Sequence, residues 1–179
     1  MKKVLEYCVN LWYSIFRIEY SKGDVGNMED DKITVFDVAN YFRSKESMTH
    51  KKLQKLVYYA YVQYIIEYNT VDNISRFLFK ERPEAWLHGP VFASLYQEYK
   101  KYNWKEIPKK IIVRSRYNDD VITILNKTWD KYGIYSADKL EYMTHCELPW
   151  QKARNESSHN AYSNNIITPE SIYSFYISR

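Results

Sequence analysis

The segment MTHKKLQKLVYYAYVQYIIEY, residues 48–68, decides the fold. Its apolar and aromatic residues recur at steps of three and four over about five turns, which is the spacing of a helix that packs in a core. Thr49 stands before this run, where a side-chain oxygen can cap the first turn. Four tyrosines ring the same helix, which favours a half-buried core wall whose hydroxyls reach polar partners; they are Tyr58, Tyr59, Tyr61 and Tyr64. We therefore predict that this segment forms the central core helix.

Signals that begin and end helices occur on both sides of this segment. On its N-terminal side, Thr34 and Asp37 have the spacing of a capping box. On its C-terminal side, Gly133 stands at a helix end, Ser136 stands at the next helix start, and the sequence TPE at residues 168–170 opens a last helix. Helices are therefore predicted over most of the chain.

One region favours extended structure. Phe77 and Phe79 stand two residues apart within residues 73–83, flanked by the polar Arg76 and Lys80, a spacing typical of a short strand that ends at a proline. Further on, Gly89 frees the backbone for a turn, and Pro90 suits the first position of the following helix. We predict a mainly α fold: a single compact multi-helix domain with a small β element in this region, preceded by an N-terminal amphipathic helix.

The first 31 residues are predicted to form a separate part of the chain. Apolar residues at helical spacing through residue 18 indicate an amphipathic helix, and SKGDVGNMEDD, residues 21–31, has the composition of a linker. Residues 1–31 are therefore assigned to a helix and linker and residues 32–179 to the helical domain, with Met28 as an alternative start. Three roles are open for this first helix: packing on the domain, dimerisation, or binding of a partner. We expect residues 1–27 to modulate oligomerisation or partner choice without being required for the fold.

Composition narrows the class of protein. A chain of 179 residues with 45% hydrophobic and 27% charged residues is typical of one globular domain. Charged residues interrupt the apolar N-terminal stretch, which argues against a signal peptide, and no apolar run approaches the roughly 20 residues of a spanning helix. Two cysteines are too few for a disulfide framework and fit a reducing compartment. We therefore expect a cytoplasmic protein that does not bind membranes.

Few residues indicate catalysis or cofactor binding. The four histidines have no metal-ligand spacing, and four glycines are too few for most phosphate-binding loops. The nearest approach to a nucleophilic pair is Cys146 with His88, which would make the protein a Cys/His hydrolase, but no neighbouring residue activates this thiol. We predict no catalytic residue, no metal and no cofactor.

A basic stretch runs from Lys100 to Arg116, and the net charge of the chain is +4. Lysine and arginine beside tyrosine and tryptophan are typical of a groove that binds single-stranded nucleic acid. Lysines beyond a helix end also complement the helix dipole, and most tyrosines fall on helical stripes. We therefore expect a solvated basic surface and an aromatic core, with a nucleic-acid-binding regulator as the alternative.

Three ordered strings carry a resemblance to a known family. They are MTHKKLQKLVYYAYVQY from Met48, PEAWLHGPVFASLYQEYKKY from Pro83 and YGIYSADKLEYMTHCELPWQKAR from Tyr132. In order and spacing they resemble the Panacea antitoxin domain family, which includes SocA-like antitoxins and phage-associated GepA-like proteins. The resemblance extends from about residue 33 to the C-terminus, and the long polar loop around His159 departs from it.

The resemblance implies a mostly helical single domain with a small strand element near residues 77–86. It also implies the role of the antitoxin in a bacterial or prophage toxin–antitoxin pair. Such an antitoxin neutralises a co-encoded toxin by direct protein contact and needs no catalytic residue. The SocA-like branch implies an alternative role, a protease adaptor that delivers a toxin for degradation. The expected partners are a cognate toxin, a protease in the adaptor role and a second copy of the chain, while nucleic acid is disfavoured.

The family strings contain the residues that we predict to bind the partner: Trp86, His88, Gly89, Pro90, Tyr96, His145 and Trp150. Tryptophan and tyrosine are favoured as interface anchors, and a His-Gly-Pro turn exposes backbone to a partner. The same residues also suit a packing role, in which the turn aligns two helices and the aromatic rings fill the core. His145 fits a satisfied core histidine or, with Thr144, a hydrogen-bond network between the last helices. The sequence leaves these roles open.

Overall fold

The computed structural model describes residues 33–154 and 161–178. Over these residues the chain forms seven α-helices and four short strands. The helices are α1 (Val35–Lys45), α2 (His50–Tyr68), α3 (Ala93–Tyr99), α4 (Asp119–Tyr132), α5 (Ala137–His145), α6 (Leu148–Arg154) and α7 (Pro169–Ile177). The strands are β1 (Met48–Thr49), β2 (Glu84–Trp86), β3 (Gly89–Val91) and β4 (Glu106–Ile107). The predicted mainly α fold with a small β element is confirmed.

Helix α2 is the predicted central helix. Residues 53–62 are all buried, and α1, α3, α4, α5 and α7 all contact the helix. Such complete burial leaves no polar stripe, and even Lys55 in this run is enclosed. Tyr58, Tyr59 and Tyr61 are fully buried, deeper than the half-buried wall that the sequence predicts. The helix therefore forms the middle of the core and fixes the positions of its neighbours.

The helix caps follow the sequence signals. Thr34 Oγ1 accepts a hydrogen bond from the Asp37 amide, and the Asp37 carboxylate accepts one from the Thr34 amide, which completes the predicted capping box. Side-chain oxygens also cap α2, α4, α5 and α7, from Thr49, Asn118, Ser136 and Thr168 respectively. Gly133 ends α4 with its amide 2.7 Å from the Trp129 carbonyl oxygen. Asn118 is the one cap among these that the sequence reasoning did not name.

The β element lies after the segment that the spacing of Phe77 and Phe79 predicts, and β2 falls at the end of the range, residues 77–86, that the family resemblance implies. Residues 73–83 form no strand, and Phe79 is buried in the core instead. Strand β2 begins after Pro83, which has no N–H to donate to a ladder, and it pairs antiparallel with β3. Residues 165–167 also hydrogen-bond to the backbone of residues 83–85. A second short pair, β1 with β4, joins the start of α2 to the segment after α3.

A two-residue turn joins β2 to β3, and it changes the role of the proline that follows. Pro90 is a strand residue rather than the first residue of a helix, and α3 begins at Ala93. The start of α3 has no side-chain cap of its own. Glu81 caps the first turn instead, because its Oε1 accepts from the Ser94 amide at 3.0 Å. Gln54 of α2 holds the residue before the helix, since its Oε1 accepts from the Phe92 amide at 2.9 Å and its Nε2 donates to the Phe92 carbonyl at 3.1 Å.

Helix α6 has no counterpart among the predictions, because a seven-residue helix is too short to show a clear period. Its last residue, Arg154, is buried and donates to the carbonyl oxygens of Ala85 and Ala161 at 3.2 and 2.7 Å. The arginine thereby attaches β2 and the chain after residue 160 to α6.

The predicted N-terminal helix and linker, residues 1–31, lie outside the described residues. Within residues 33–154 and 161–178, the helices are all too short or too polar to cross a membrane.

Candidate functional site

The hairpin of β2 and β3 approaches two helices closely at Gly89. This residue has a φ of +91°, a conformation that residues with a side chain rarely adopt. A Cβ atom here would lie 2.7 Å from Thr144 Oγ1 and 2.8 Å from Lys55 Cε. The hairpin can therefore sit against α2 and α5 at this distance only because residue 89 is glycine.

Lys55 is buried beneath this hairpin. The residue is 1% exposed, and its Nζ donates to the Pro90 carbonyl oxygen at 2.9 Å. Burial lowers the pKa of Lys55 to about 7, although the charge of Glu141 acts in the opposite direction. The ammonium group is therefore close to losing its proton at neutral pH.

Lys55 lines a pocket of about 540 Å³ beside the hairpin. Trp86 of β2 and Tyr96 of α3 form part of its wall, with their rings edge to face and the centroids 4.8 Å apart. His50, at the start of α2, packs against the ring of Tyr96, with the two ring centroids 5.8 Å apart. The other lining residues are Lys51, Gln54, Leu87, His88, Val91, Lys100, Asn103, Trp104, Ala161, Tyr162 and Ser163. Aromatic walls with a few polar groups, at this volume, are typical of ligand-binding pockets.

An ion-pair network forms one edge of the pocket. Glu141 of α5 accepts from Lys51 Nζ and from His88 Nδ1, each at 2.8 Å, and Lys51 Nζ also contacts Asp138 at 2.6 Å. Burial raises the pKa of Glu141, but the hydrogen bonds from Lys51 and His88 outweigh burial, so that this pKa is lowered overall. The network holds the hairpin turn and α2 to α5.

His145 and Trp150 support the hairpin without lining the pocket. Their rings stack with centroids 4.1 Å apart, and Trp150 Nε1 donates to the Trp86 carbonyl at 3.0 Å. Burial lowers the pKa of His145. The predicted Thr144–His145 network is absent from the described residues, because Thr144 Oγ1 donates to the Glu141 carbonyl within its own helix. The stacked rings of His145 and Trp150 instead pack behind β2, the strand that contains Trp86.

The hairpin brings the seven predicted site residues into one neighbourhood. Trp86, His88 and Tyr96 line the pocket, Gly89 and Pro90 contact Lys55, and His145 and Trp150 lie behind β2. Their part in binding a partner stays a prediction. Packing and pocket-lining roles coexist here, since Trp86 and Tyr96 are each partly buried and partly exposed.

Sequence reasoning named three of the fifteen lining residues as site residues and missed the other twelve, among them His50, Lys55, Trp104 and Tyr162. One signal was available, because Lys55 interrupts the apolar run of the central helix, and lysine is rarely buried without a partner. Trp104 and Tyr162 lie outside helices and strands, so the spacing of apolar residues cannot predict the direction of their side chains.

Two other candidate chemistries gain no support from the geometry. Cys146 is exposed at the end of α5, while His88, its predicted hydrolase partner, contacts Glu141. Within residues 33–154 and 161–178, His, Cys, Asp and Glu side chains do not cluster in threes that could hold a metal ion.

The basic stretch from Lys100 to Arg116 is partly neutralised. Arg114 contacts Asp119 at 3.0 Å, Arg116 contacts Asp37 at 3.1 Å, and Lys101 contacts Glu98 at 3.6 Å. These pairs are consistent with the solvated basic surface that the sequence predicts.

Comparison with models of known families finds a match over residues 53–151, more than half of the chain. The matching family is described as antitoxin SocA-like, Panacea domain. The matched range runs from α2 through most of α6, and it contains the hairpin and all seven predicted site residues. No curated protein and no solved structure matches the chain.

Proposed function

Because the chain belongs to the SocA-like antitoxin family with the Panacea domain, we propose that it neutralises a co-encoded toxin by direct protein–protein binding. This role needs a binding surface and no catalytic centre. The proposal places the protein in the bacterial cytoplasm, in a toxin–antitoxin pair of a chromosome or a prophage.

The observation that carries the proposal is the pocket and its rim, which we call the pocket face: Trp86, His88, Tyr96, Trp104 and Tyr162. Trp104 and Tyr162 are 86% and 79% exposed, although both are large aromatic residues. Exposed rings around a concave site are typical of protein interfaces, where tryptophan and tyrosine contribute much of the binding energy. We therefore propose that the toxin contacts the pocket face.

Co-expression with the product of the neighbouring gene tests the proposal. We expect that product to arrest growth alone, to be neutralised by this protein and to co-purify with it. A neighbouring product that is harmless, or that stays toxic without forming a complex, would contradict the proposed function.

Alanine variants test the proposed surface. The double variant Trp104→Ala/Tyr162→Ala removes two exposed rings without opening the core, and we expect it to weaken toxin binding by at least about 30-fold. Val71→Ala is the matched control, because Val71 is 75% exposed and follows the far end of α2, about 28 Å from the pocket end of that helix. Equal loss of binding in both variants would argue against the pocket face.

The protease-adaptor role predicts a different fate for the toxin. A sequestering antitoxin leaves the toxin concentration unchanged, whereas an adaptor shortens the toxin's half-life. Pulse-chase measurement of the toxin, with and without this protein, distinguishes the two.

A further inference from the structure

The ammonium group of Lys55 has no carboxylate partner in the described part of the chain. Its Nζ donates to the Pro90 carbonyl at 2.9 Å, and its other N–H groups have no acceptor among residues 33–154 and 161–178. Lys55 nevertheless is 1% exposed and lines the pocket. A buried charge is stabilised by opposite charge and hydrogen bonds, so this donor favours an anionic ligand.

Charged and titratable groups surround Lys55 from three elements. They are His50 and Lys51 on α2, Glu141 and His145 on α5, and His88 on the hairpin. Glu141 is directed elsewhere, because its two carboxylate oxygens accept from Lys51 and His88. The protein's own acid therefore leaves Lys55 open to a second carboxylate.

The charge balance of the pocket suits a single negative charge. Lys51, Lys55 and Lys100 line it, and the carboxylates of Glu141 and Asp138 both bind Lys51. Lys51 is therefore paired within the protein, and Lys100 Nζ donates to Gln97, which leaves the Lys55 ammonium as the lining cation without a side-chain partner among residues 33–154 and 161–178. A monocarboxylate matches this balance, whereas a polyphosphate would exceed it.

The wall beside Lys55 is apolar and aromatic. Trp86 and Tyr96 present their rings, and Leu87 and Val91 add aliphatic surface. A ligand gains most here when it combines its negative charge with an apolar body.

We propose that this pocket binds a carboxylate carried on an aromatic or aliphatic group, which accepts hydrogen bonds from the Lys55 ammonium. The inference deepens the proposed function and rests on it for one source of the ligand, an acidic side chain or the C-terminus of the toxin. A free small-molecule acid is the other source. Binding itself requires only this chain.

Ligand binding is linked to protonation of Lys55. Burial lowers the pKa of the free lysine to about 7, and a bound carboxylate raises this pKa because opposite charge favours the ammonium form. Binding therefore takes up protons above pH 7, and affinity falls by up to about tenfold per pH unit as the pH rises. Burial lowers the pKa values of His50 and His145, so both titrate below this range.

An NMR titration of the full chain with 4-phenylbutyrate tests the proposal, with neutral 4-phenylbutanamide as the matched control. We expect the acid alone to shift the indole N–H signals of Trp86 and Trp104. The signal of Trp129, which does not line the pocket, serves as the internal reference. Affinity at pH 6.5 should exceed affinity at pH 8.5 by about tenfold or more. An equal response to acid and amide, or an affinity that does not change with pH, would overturn the proposal.

The Lys55→Met variant removes the ammonium group and keeps a long side chain. We expect it to lose binding of the acid while its circular dichroism spectrum stays that of the wild type. Should this variant fail to fold, calorimetry of the wild-type chain at pH 8 decides, in buffers of different ionisation enthalpy. Proton uptake on binding supports the proposal, and its absence contradicts it.

A peptide with a C-terminal phenylalanine, in free-acid and amidated forms, separates the two sources. Tighter binding of the peptide acid than of 4-phenylbutyrate assigns the site to a protein segment, and equal binding assigns it to a small acid. If neither acid binds at millimolar concentrations, there is no carboxylate site. Failure of the proposed antitoxin function has a different signature: the acids bind with the same dependence on Lys55, but the neighbouring gene product forms no complex.

Discussion

Gly89 shows how one residue positions the pocket. We expect Gly89→Ala to lower the free energy of unfolding by about 1–3 kcal/mol, because the backbone is in the left-handed region and the new Cβ would meet Thr144 and Lys55. Chemical denaturation measures this loss against the wild type. A loss below about 0.5 kcal/mol would show that the close approach of the hairpin does not require glycine at this position.

The lowered pKa of Lys55 makes the stability of the fold depend on pH. Its pKa is about 7 in the folded chain and near 10.5 when the chain is unfolded, so the unfolded state binds more protons between these values. The stability of the wild type should therefore rise with pH from 7 to 10, relative to Lys55→Met, by up to about 1.4 kcal/mol per pH unit. Urea denaturation of both proteins at several pH values measures this difference. Parallel profiles for the two proteins would mean that Lys55 titrates normally.

Single residues also mark where sequence reasoning succeeds and fails. Thr34, Ser136 and Thr168 were predictable as caps because a cap depends on neighbours within one turn. The apolar run around Lys55 indicates that this residue is buried, but the groups that Lys55 meets there, Pro90 and Glu141, are distant in sequence and were not predictable.

At the scale of elements, the stability of the domain depends most on α2. We expect Leu56→Ala, at a fully buried position, to cost about 2–5 kcal/mol, because the cavity is bounded by packed helices that cannot close it. Ile134→Ala, at a position 80% exposed, should change stability by less than about 0.5 kcal/mol. Thermal and denaturant unfolding of the two variants measure both changes in stability. A small effect of Leu56→Ala would indicate that the core around α2 repacks freely.

The hairpin is the element that residue spacing misplaced, although the family resemblance implied a strand near residues 77–86. Pro90 suits the first turn of a helix equally well, and periodicity cannot separate the two roles over three residues. The structure places Pro90 in a strand, because Trp86 pairs antiparallel with Gly89, whose positive φ directly follows the two-residue turn. The pocket depends on this element, and so the seven residues could be chosen from the family strings but their arrangement could not.

At the scale of the whole molecule, the division into residues 1–31 and 32–179 remains a proposal with a direct test. The described residues form one continuous hydrophobic core from Val35 to Tyr173, built around α2. A core of this extent is sufficient for a domain of about 150 residues to fold cooperatively. We therefore expect the chain from Met28 to Arg179 to unfold in one transition, with a Tm within a few degrees of the full chain. Circular dichroism measures this, and failure of the shorter chain to fold would assign residues 1–27 to the core.

The same shorter chain tests what residues 1–27 contribute. If they modulate oligomerisation or toxin choice, their removal changes the molar mass in solution or the affinity for the toxin and leaves the pocket intact. Light scattering measures the molar mass, and calorimetry measures the affinity for the toxin. The shift of the Trp86 indole signal on addition of 4-phenylbutyrate measures binding in the pocket. Since the pocket residues all lie between His50 and Ser163, binding of the acid should be unchanged within error. Loss of acid binding together with an unchanged Tm would instead show that the first residues complete the pocket.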